Sequence, residues 1–111
     1  MDLTNKKCVP CEGGIPPFTP DEVKTYLSQV KGWENVGNTR IRKMFKFKDF
    51  KEAMAFVNKV ADVAESEDHH PDIHVHWNEV TLELWTHKIG GLHENDFILA
   101  AKVETLISDT N

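Results

Sequence analysis

Apolar residues along this chain recur in two rhythms, one near 3.6 residues and one of 2, and the rhythm changes element by element. Thr19-Pro-Asp-Glu22 has the form of a helix start: a capping hydroxyl, a proline at the first helical position and a glutamate completing a capping box. Val23, Tyr26, Leu27 and Val30 then follow at helical spacing, and Gly32 is expected to end the helix. Trp33 to Val36 reads as a short strand, Gly37-Asn38 as a turn, and Arg40 to Phe47 as a partner strand. Ile41, Phe45 and Phe47 fall on one face of that strand, with Lys43 as the exception, and Arg40, Arg42 and Lys46 fall on the other.

Asp49-Phe-Lys-Glu52 predicts a second capped helix over residues 50–66. Phe50, Ala53, Met54, Val57, Val60, Ala61 and Ala64 keep its period, and Phe56 and Val63 widen the stripe enough to cover a sheet. Pro71 stops the helical pattern and biases His70 toward extended backbone. Ile73, Val75 and Trp77 alternate with Asp72, His74 and His76. Asn78-Glu79 is the expected turn into Val80, Leu82 and Leu84, which alternate with Thr81, Glu83 and Trp85. After a Gly90-Gly91 loop, a last helix runs from Glu94 to about Ser108, with Phe97, Ile98, Ala101 and Leu106 as its core face.

The order helix, hairpin, helix, hairpin, helix predicts an α+β, two-layer fold: a four-stranded antiparallel sheet with three helices on one face, αββαββα. The 111 residues suit one core. Residues 1–18, with Cys8, Cys11, Gly13, Gly14, Pro10, Pro16 and Pro17, read as an irregular tail that lies against the domain or stays mobile, and 19–111 as the domain.

Composition narrows the partners. A formal net charge of -5 argues against a nucleic-acid backbone, whose binding uses clustered Lys and Arg. No apolar run is long enough to span a bilayer, and Met1 to Lys7 lacks the apolar core of a signal peptide, so a cytoplasmic protein without membrane association is expected.

Chemistry concentrates in the stretch Glu65 to Trp77, which holds four of the six histidines: His69, His70, His74 and His76. His87 closes the following strand. A histidine cluster can hold a divalent metal, yet no spacing here matches a strong metal motif, and His74 and His76 read as polar positions on a solvated strand face. His93 reads as ordinary surface. Acid–base chemistry requires less: His69 and His70, facing His87, can surround a small flat substrate. One imidazole would protonate a departing hydroxyl and another would take a proton from an adjacent ring nitrogen. Glu65, one helical turn before His69, is placed to orient that imidazole; for Glu65 and Asp68 the alternative is a solvated helix end. Trp77 and Trp85 can stack on a planar ligand or serve packing. These residues by themselves suggest a small-molecule lyase or hydrolase.

The ordered set Gly32-Trp33, Phe45-Lys-Phe-Lys-Asp-Phe50, Glu65-x-x-x-His69-His70-Pro71, Trp77, Thr86-His87 and Gly91-Leu92 leading to Asp96 resembles the pterin-4a-carbinolamine dehydratases, also known as dimerisation cofactors of a homeodomain transcription factor. The likeness covers about residues 20 to 107, and the family's αββαββα order agrees with the pattern above. It implies dehydration of a 4a-hydroxytetrahydropterin to the quinonoid dihydropterin, in tetrahydrobiopterin recycling after an aromatic amino acid hydroxylase, with no metal and no cofactor. It implies His69, His70 and His87 as catalytic residues, without assigning acid and base. Glu65, Asp68 to His70 and Trp85 to Lys88 (Trp85, Thr86, His87, Lys88) would hold the pterin, and Pro71, Trp77 and Asp96 would support the site. Homodimers or homotetramers are expected. Two departures stand out: His93 replaces the Ser or Thr that caps the last helix in relatives, at an expected cost of about 1 kcal/mol, and the tail carries Cys8-Val-Pro-Cys11. Competing readings are a non-enzymatic module that binds a transcription factor, a metal-binding protein using the histidines or the CxxC, and a pterin-related role in molybdopterin metabolism.

Overall fold

The computed structural model describes residues 3–9 and 15–109, the last two without their side chains. Helix α1 (Pro20–Leu27) begins with the expected capping box: the Thr19 hydroxyl accepts from the Glu22 N–H, and the Glu22 carboxylate accepts from the Thr19 N–H. It ends earlier than the glycine suggests. Ser28 caps it, and Gln29 and Val30 donate to the Tyr26 and Leu27 carbonyls in tighter turns before Gly32 redirects the chain with φ +83°.

Strands β1 (Glu34–Val36) and β2 (Arg40–Lys46) form the first hairpin, with Gly37 and Asn38 both in the left-handed region at its turn. Helix α2 (Phe50–Glu67) follows, its Glu52 N–H capped by Asp49. The reciprocal bond falls one residue upstream of the expected place, with Glu52 accepting from the Lys48 N–H. Strands β3 (Asp72–His76) and β4 (Glu79–Leu84) make the second hairpin, and helix α3 (Glu94–Asp109) closes the chain.

All four strands join one antiparallel sheet in the order β1-β2-β4-β3. The register pairs Ile41 with Leu84 and Phe45 with Val80, so the second hairpin's apolar face and that of β2 form one surface. Phe56 and Val60 from α2 join this surface, together with Phe97, Ile98, Leu99 and Val103 from α3, in a single buried cluster. Each large aliphatic or aromatic side chain so buried contributes about 1.5–3 kcal/mol. The α+β fold is therefore as the apolar rhythm implies. Lys43, the odd member of the inward face, reaches the edge of the core. Its ammonium meets the Glu104 carboxylate, which also accepts from the Trp33 indole N–H. A charge can sit on that face because α3 brings its counter-ion.

Three expectations change. The turn between β3 and β4 is Trp77-Asn78, not Asn78-Glu79, because Trp77 takes a left-handed φ of +51° and Asn78 is pinned by reciprocal bonds to Phe47. Trp77 is thus 68 % exposed at a hairpin tip instead of on the inward face. Phe50 and Ala61, which keep the apolar period of α2, lie exposed at the stripe's margins. His93 is half-buried rather than plain surface: its ring lies 5.2 Å from that of Phe18, and its Nδ1 is buried with no partner among the described residues. Its backbone N–H donates to the Asp96 carboxylate, so the start of α3 keeps half of a capping box without a capping side chain at 93.

Candidate active site

Helix α2 ends in a way that separates Glu65 from the histidine expected beside it. Asp68 turns into the left-handed region, φ +51° and ψ +41°, while the Asp68 N–H donates to the Glu65 carbonyl and the His69 N–H to the Ala64 carbonyl. That pair of bonds is a Schellman closure with aspartate in the place glycine usually takes. The one-turn spacing that would bring Glu65 beside His69 no longer applies beyond it. Glu65 instead meets His70, Oε2 to Nε2 at 2.6 Å, which corrects the Glu65–His69 pairing expected from helical spacing.

His69 turns inward. Its Nε2 lies 2.6 Å from Oδ1 of Asp96, a fully buried residue in the first turn of α3. The other Asp96 oxygen accepts from the Thr86 hydroxyl at 2.8 Å and from the His93 N–H at 3.0 Å. Three donors from three segments thus converge on one buried carboxylate, which ties the end of α2, the loop after β4 and the start of α3 together. A carboxylate only accepts, so His69 carries its hydrogen on Nε2 and turns Nδ1 away from Asp96; the same holds for His70 against Glu65.

The loop bearing His87 is closed by a two-way backbone bridge between Thr86 and Gly91. Gly91 has to be glycine, because a Cβ there would lie 2.7 Å from Pro17. Within the loop, His87 begins a short 3-10 turn and lays its ring on Trp85, centroids 4.1 Å apart. Trp85 is held from the other elements by Asp72, which accepts its indole N–H at 3.2 Å, and by the Arg40 guanidinium 5.0 Å from its ring centre.

These pieces surround one cleft of ≈ 520 Å³. Asp68, His69, His70, Trp85, Thr86, His87 and Lys88 line it, so seven of the residues singled out from sequence meet at one place. Glu65 and Asp96 stand behind the cleft, bonded to its histidines. Pro71 starts the extended run into β3, and Trp77 sits at the far tip of that hairpin, away from the lining. His74 pairs with Glu83 on the exposed sheet face. Among the described residues no group of three His, Cys, Asp or Glu is arranged to hold a metal ion.

The cleft also includes residues that sequence reasoning left out: Lys7, Cys8 and Val9 of the tail, Ser66 and Glu67 at the end of α2, and Asn95. Glu67 is a carboxylate only 5 % exposed, with the Lys102 ammonium 2.8 Å away and the Cys8 N–H donating to it at 2.8 Å. Burial alone would push the Glu67 carboxyl up, but the Lys102 bond, the Cys8 N–H and the Lys7 charge outweigh it and hold it below the usual carboxylate value. Burial pushes the Cys8 thiol the other way, up to about 12, with the Glu67 charge adding to the effect. Its partner in the CxxC, Cys11, lies outside the described residues.

An αββαββα domain with a histidine-lined cleft where α2, the loop after β4 and α3 converge defines a class of small α+β proteins. The profile of the family described as pterin 4 alpha carbinolamine dehydratase matches residues 16–106, and the chain belongs to that family. A protein of Nitrosospira multiformis, provisionally named a pterin-4-alpha-carbinolamine dehydratase, is 52 % identical over 105 residues, 95 % of this chain and 92 % of that one. A protein of Methylococcus capsulatus with the same provisional name is 48 % identical over 96 % of this chain and 95 % of its own. Among solved structures, a transcriptional coactivator/pterin dehydratase of Brucella melitensis superposes with a TM-score of 0.77 at 36 % identity, covering 81 % of this chain and 97 % of that one. A pterin dehydratase-like protein identified as a RuBisCO assembly factor in the alpha-carboxysome superposes with a TM-score of 0.59 at 25 % identity, covering 68 % and 88 %.

Proposed function

We propose that the cleft dehydrates a 4a-hydroxytetrahydropterin, with His69, His70 and His87 as its acid–base groups and Asp68, Trp85, Thr86 and Lys88 around the ring. The observation that carries this reading is the meeting of three imidazoles from two separate segments in one cleft of ≈ 520 Å³, a volume suited to a two-ring substrate. The reaction itself only moves protons. An imidazolium donates its proton to the 4a hydroxyl, the C4a–O bond breaks, water leaves, and the N5 lone pair forms the new C4a–N5 double bond. A neutral imidazole takes the N5 hydrogen, giving the quinonoid dihydropterin and returning both histidines to their starting charge after one exchange with solvent. No electrons enter or leave, so imidazoles alone suffice chemically. Asp96 and Glu65 act as positioning residues, holding His69 and His70 by Nε2 so that Nδ1 is the nitrogen left for substrate. Coupling to an aromatic amino acid hydroxylase, which would supply the carbinolamine, and assembly into dimers or tetramers belong to this reading.

The test is an assay in which the carbinolamine is generated in situ and quinonoid product is followed by absorbance. His70→Ala and His87→Ala should each lower kcat by about 10²-fold or more, as loss of a proton-transfer group does, while circular dichroism stays unchanged. Folded wild type without acceleration would sink the reading. The coactivator role in the Brucella protein's name supports a second one, a protein-binding module. Full activity with no stable protein partner on co-purification would leave that second reading without support.

A further inference from the structure

The tail is docked with more care than a loose extension needs. Leu3 is buried against the core, and the Lys6 ammonium meets the Glu94 carboxylate at 2.9 Å. One residue of the tail, Val9, is gripped on both backbone groups by a single buried side chain: its N–H donates to Asn95 Oδ1 at 3.0 Å, and its C=O accepts from Asn95 Nδ2 at 2.7 Å. The neighbouring Cys8 N–H is held by Glu67, itself neutralised by Lys102, and the Cys8 thiol donates to the Asn95 carbonyl at 3.5 Å. Two polar side chains that are buried with the tail in place, Asn95 and Glu67, are therefore committed to this segment. Both line the cleft, and so do Lys7, Cys8 and Val9. Val9 as a whole is nearly three-fifths exposed, and the clip uses only its backbone groups.

We propose that Lys7–Val9 is a substrate-positioning wall of the pterin cleft, clipped in place by Asn95 and Glu67. The proposal rests on the pterin reading above. The catalytic histidines come from the end of α2 and the loop after β4, while the tail adds a third side that neither hairpin nor helix provides. A wall of this kind confines the ring and excludes water without touching the protons in transit. Its loss therefore weakens binding and leaves the chemical step largely intact, the signature of uniform binding lost.

The experiment uses the full chain and two variants. Asn95→Ala opens the clip inside the cleft. Leu3→Ala loosens the same segment from outside the cleft, so its effect cannot come from a side chain missing beside the substrate. Each is assayed for dehydration and titrated with 7,8-dihydropterin, a planar ring without the 4a hydroxyl, after circular dichroism confirms folding. Both variants are expected to raise KM and the dihydropterin Kd by about 5- to 10-fold with kcat within about twofold of wild type. Unchanged KM and Kd in a folded variant of either kind overturn the wall. A fall in kcat at constant KM also overturns it, because the tail would then act on the chemical step. Wild type that neither turns over nor binds dihydropterin removes the pterin reading and this proposal with it. Wild type that does both, matched by the variants, removes this proposal alone.

Discussion

His69 and His70 are neighbours in sequence, and each meets a carboxylate through Nε2 at 2.6 Å, yet the two pairs live in different media. The His69 side chain is 11 % exposed and its Asp96 partner 0 %; His70 is 55 % exposed and Glu65 78 %. Water competes for the hydrogen bond of the outer pair, and holding two mobile side chains together offsets most of what remains. The inner pair has little water to compete with it, and its carboxylate is shared with Thr86 and the start of α3. Two adjacent histidines therefore serve differently, His69 in a fixed scaffold and His70 in an adjustable contact.

Removing the buried carboxylate should produce the largest effect. Asp96→Ala strands three donors at once, and chemical denaturation should show a loss of about 3 kcal/mol or more, with dehydration activity falling alongside. A loss of less than about 1 kcal/mol would mean that water replaces the carboxylate readily and that the inner pair is no scaffold. Glu65→Gln is its counterpart. Stability should stay within about 0.5 kcal/mol of wild type, and a large drop would show the outer pair to be structural after all.

The left-handed residue just before both histidines offers a smaller test. Asp68 holds a left-handed conformation that costs a non-glycine residue about 1 kcal/mol, so Asp68→Gly should leave stability equal or slightly raised by denaturant midpoint. Asp68→Val should lower it, because a β-branched residue fits that region poorly. Equal stability of the two variants would remove the Schellman closure as the device that parts Glu65 from His69.

The smallest effects concern the tail, and both follow from titration. Glu67 has a folded value below its ordinary 4.5, so its contribution is present above that pH and is lost as pH falls through the folded value. Hydrogen exchange at the Cys8 amide, which Glu67 accepts from, should accelerate relative to the helix amides as acid reaches that window. Cys8 runs the opposite way. Its folded value is raised from 9.0 to about 12, so its contribution is present below 9 and fades as pH climbs toward 12. In a Cys11→Ser background, a thiol reagent at pH 8 should modify Cys8 more slowly than free cysteine, and Asn95→Ala should speed the reaction. A fast reaction in the docked protein would contradict the buried thiol.

Several parts of this architecture were legible because their causes are local. The Thr19 box, the Asp49 cap, the wide apolar stripe of α2 and the alternation of Ile41 to Phe45 and of Val80 to Leu84 each depend on residues a few positions apart. Trp77 misled because period-2 alternation does not say where a hairpin turns; reciprocal bonds between Asn78 and Phe47 decide that, 31 residues apart. The last helix misled in the other direction. Leu99, Ala100 and Val103 are buried as well as the face its period marks, because α3 is packed by α2 on one side and by the tail and α1 on others.

The motif residues were legible as a group, and the resemblance carried by Glu65-x-x-x-His69-His70-Pro71 and Thr86-His87 named the family to which the chain belongs. Which carboxylate serves which histidine was not. Helical spacing pointed Glu65 at His69, but one left-handed residue sent His69 inward to a partner 27 positions away. The tail was equally opaque: Asn95 looks like any residue of a first helical turn until Val9, 86 positions earlier, arrives against it. Local rhythm and capping chemistry act over one or two turns of chain, and that range was enough for the elements and the family's signature. The buried carboxylate's partners and the third wall of the cleft depend on packing between distant segments, where burial removes water as a competing partner and leaves each polar group to whatever the fold brings within reach.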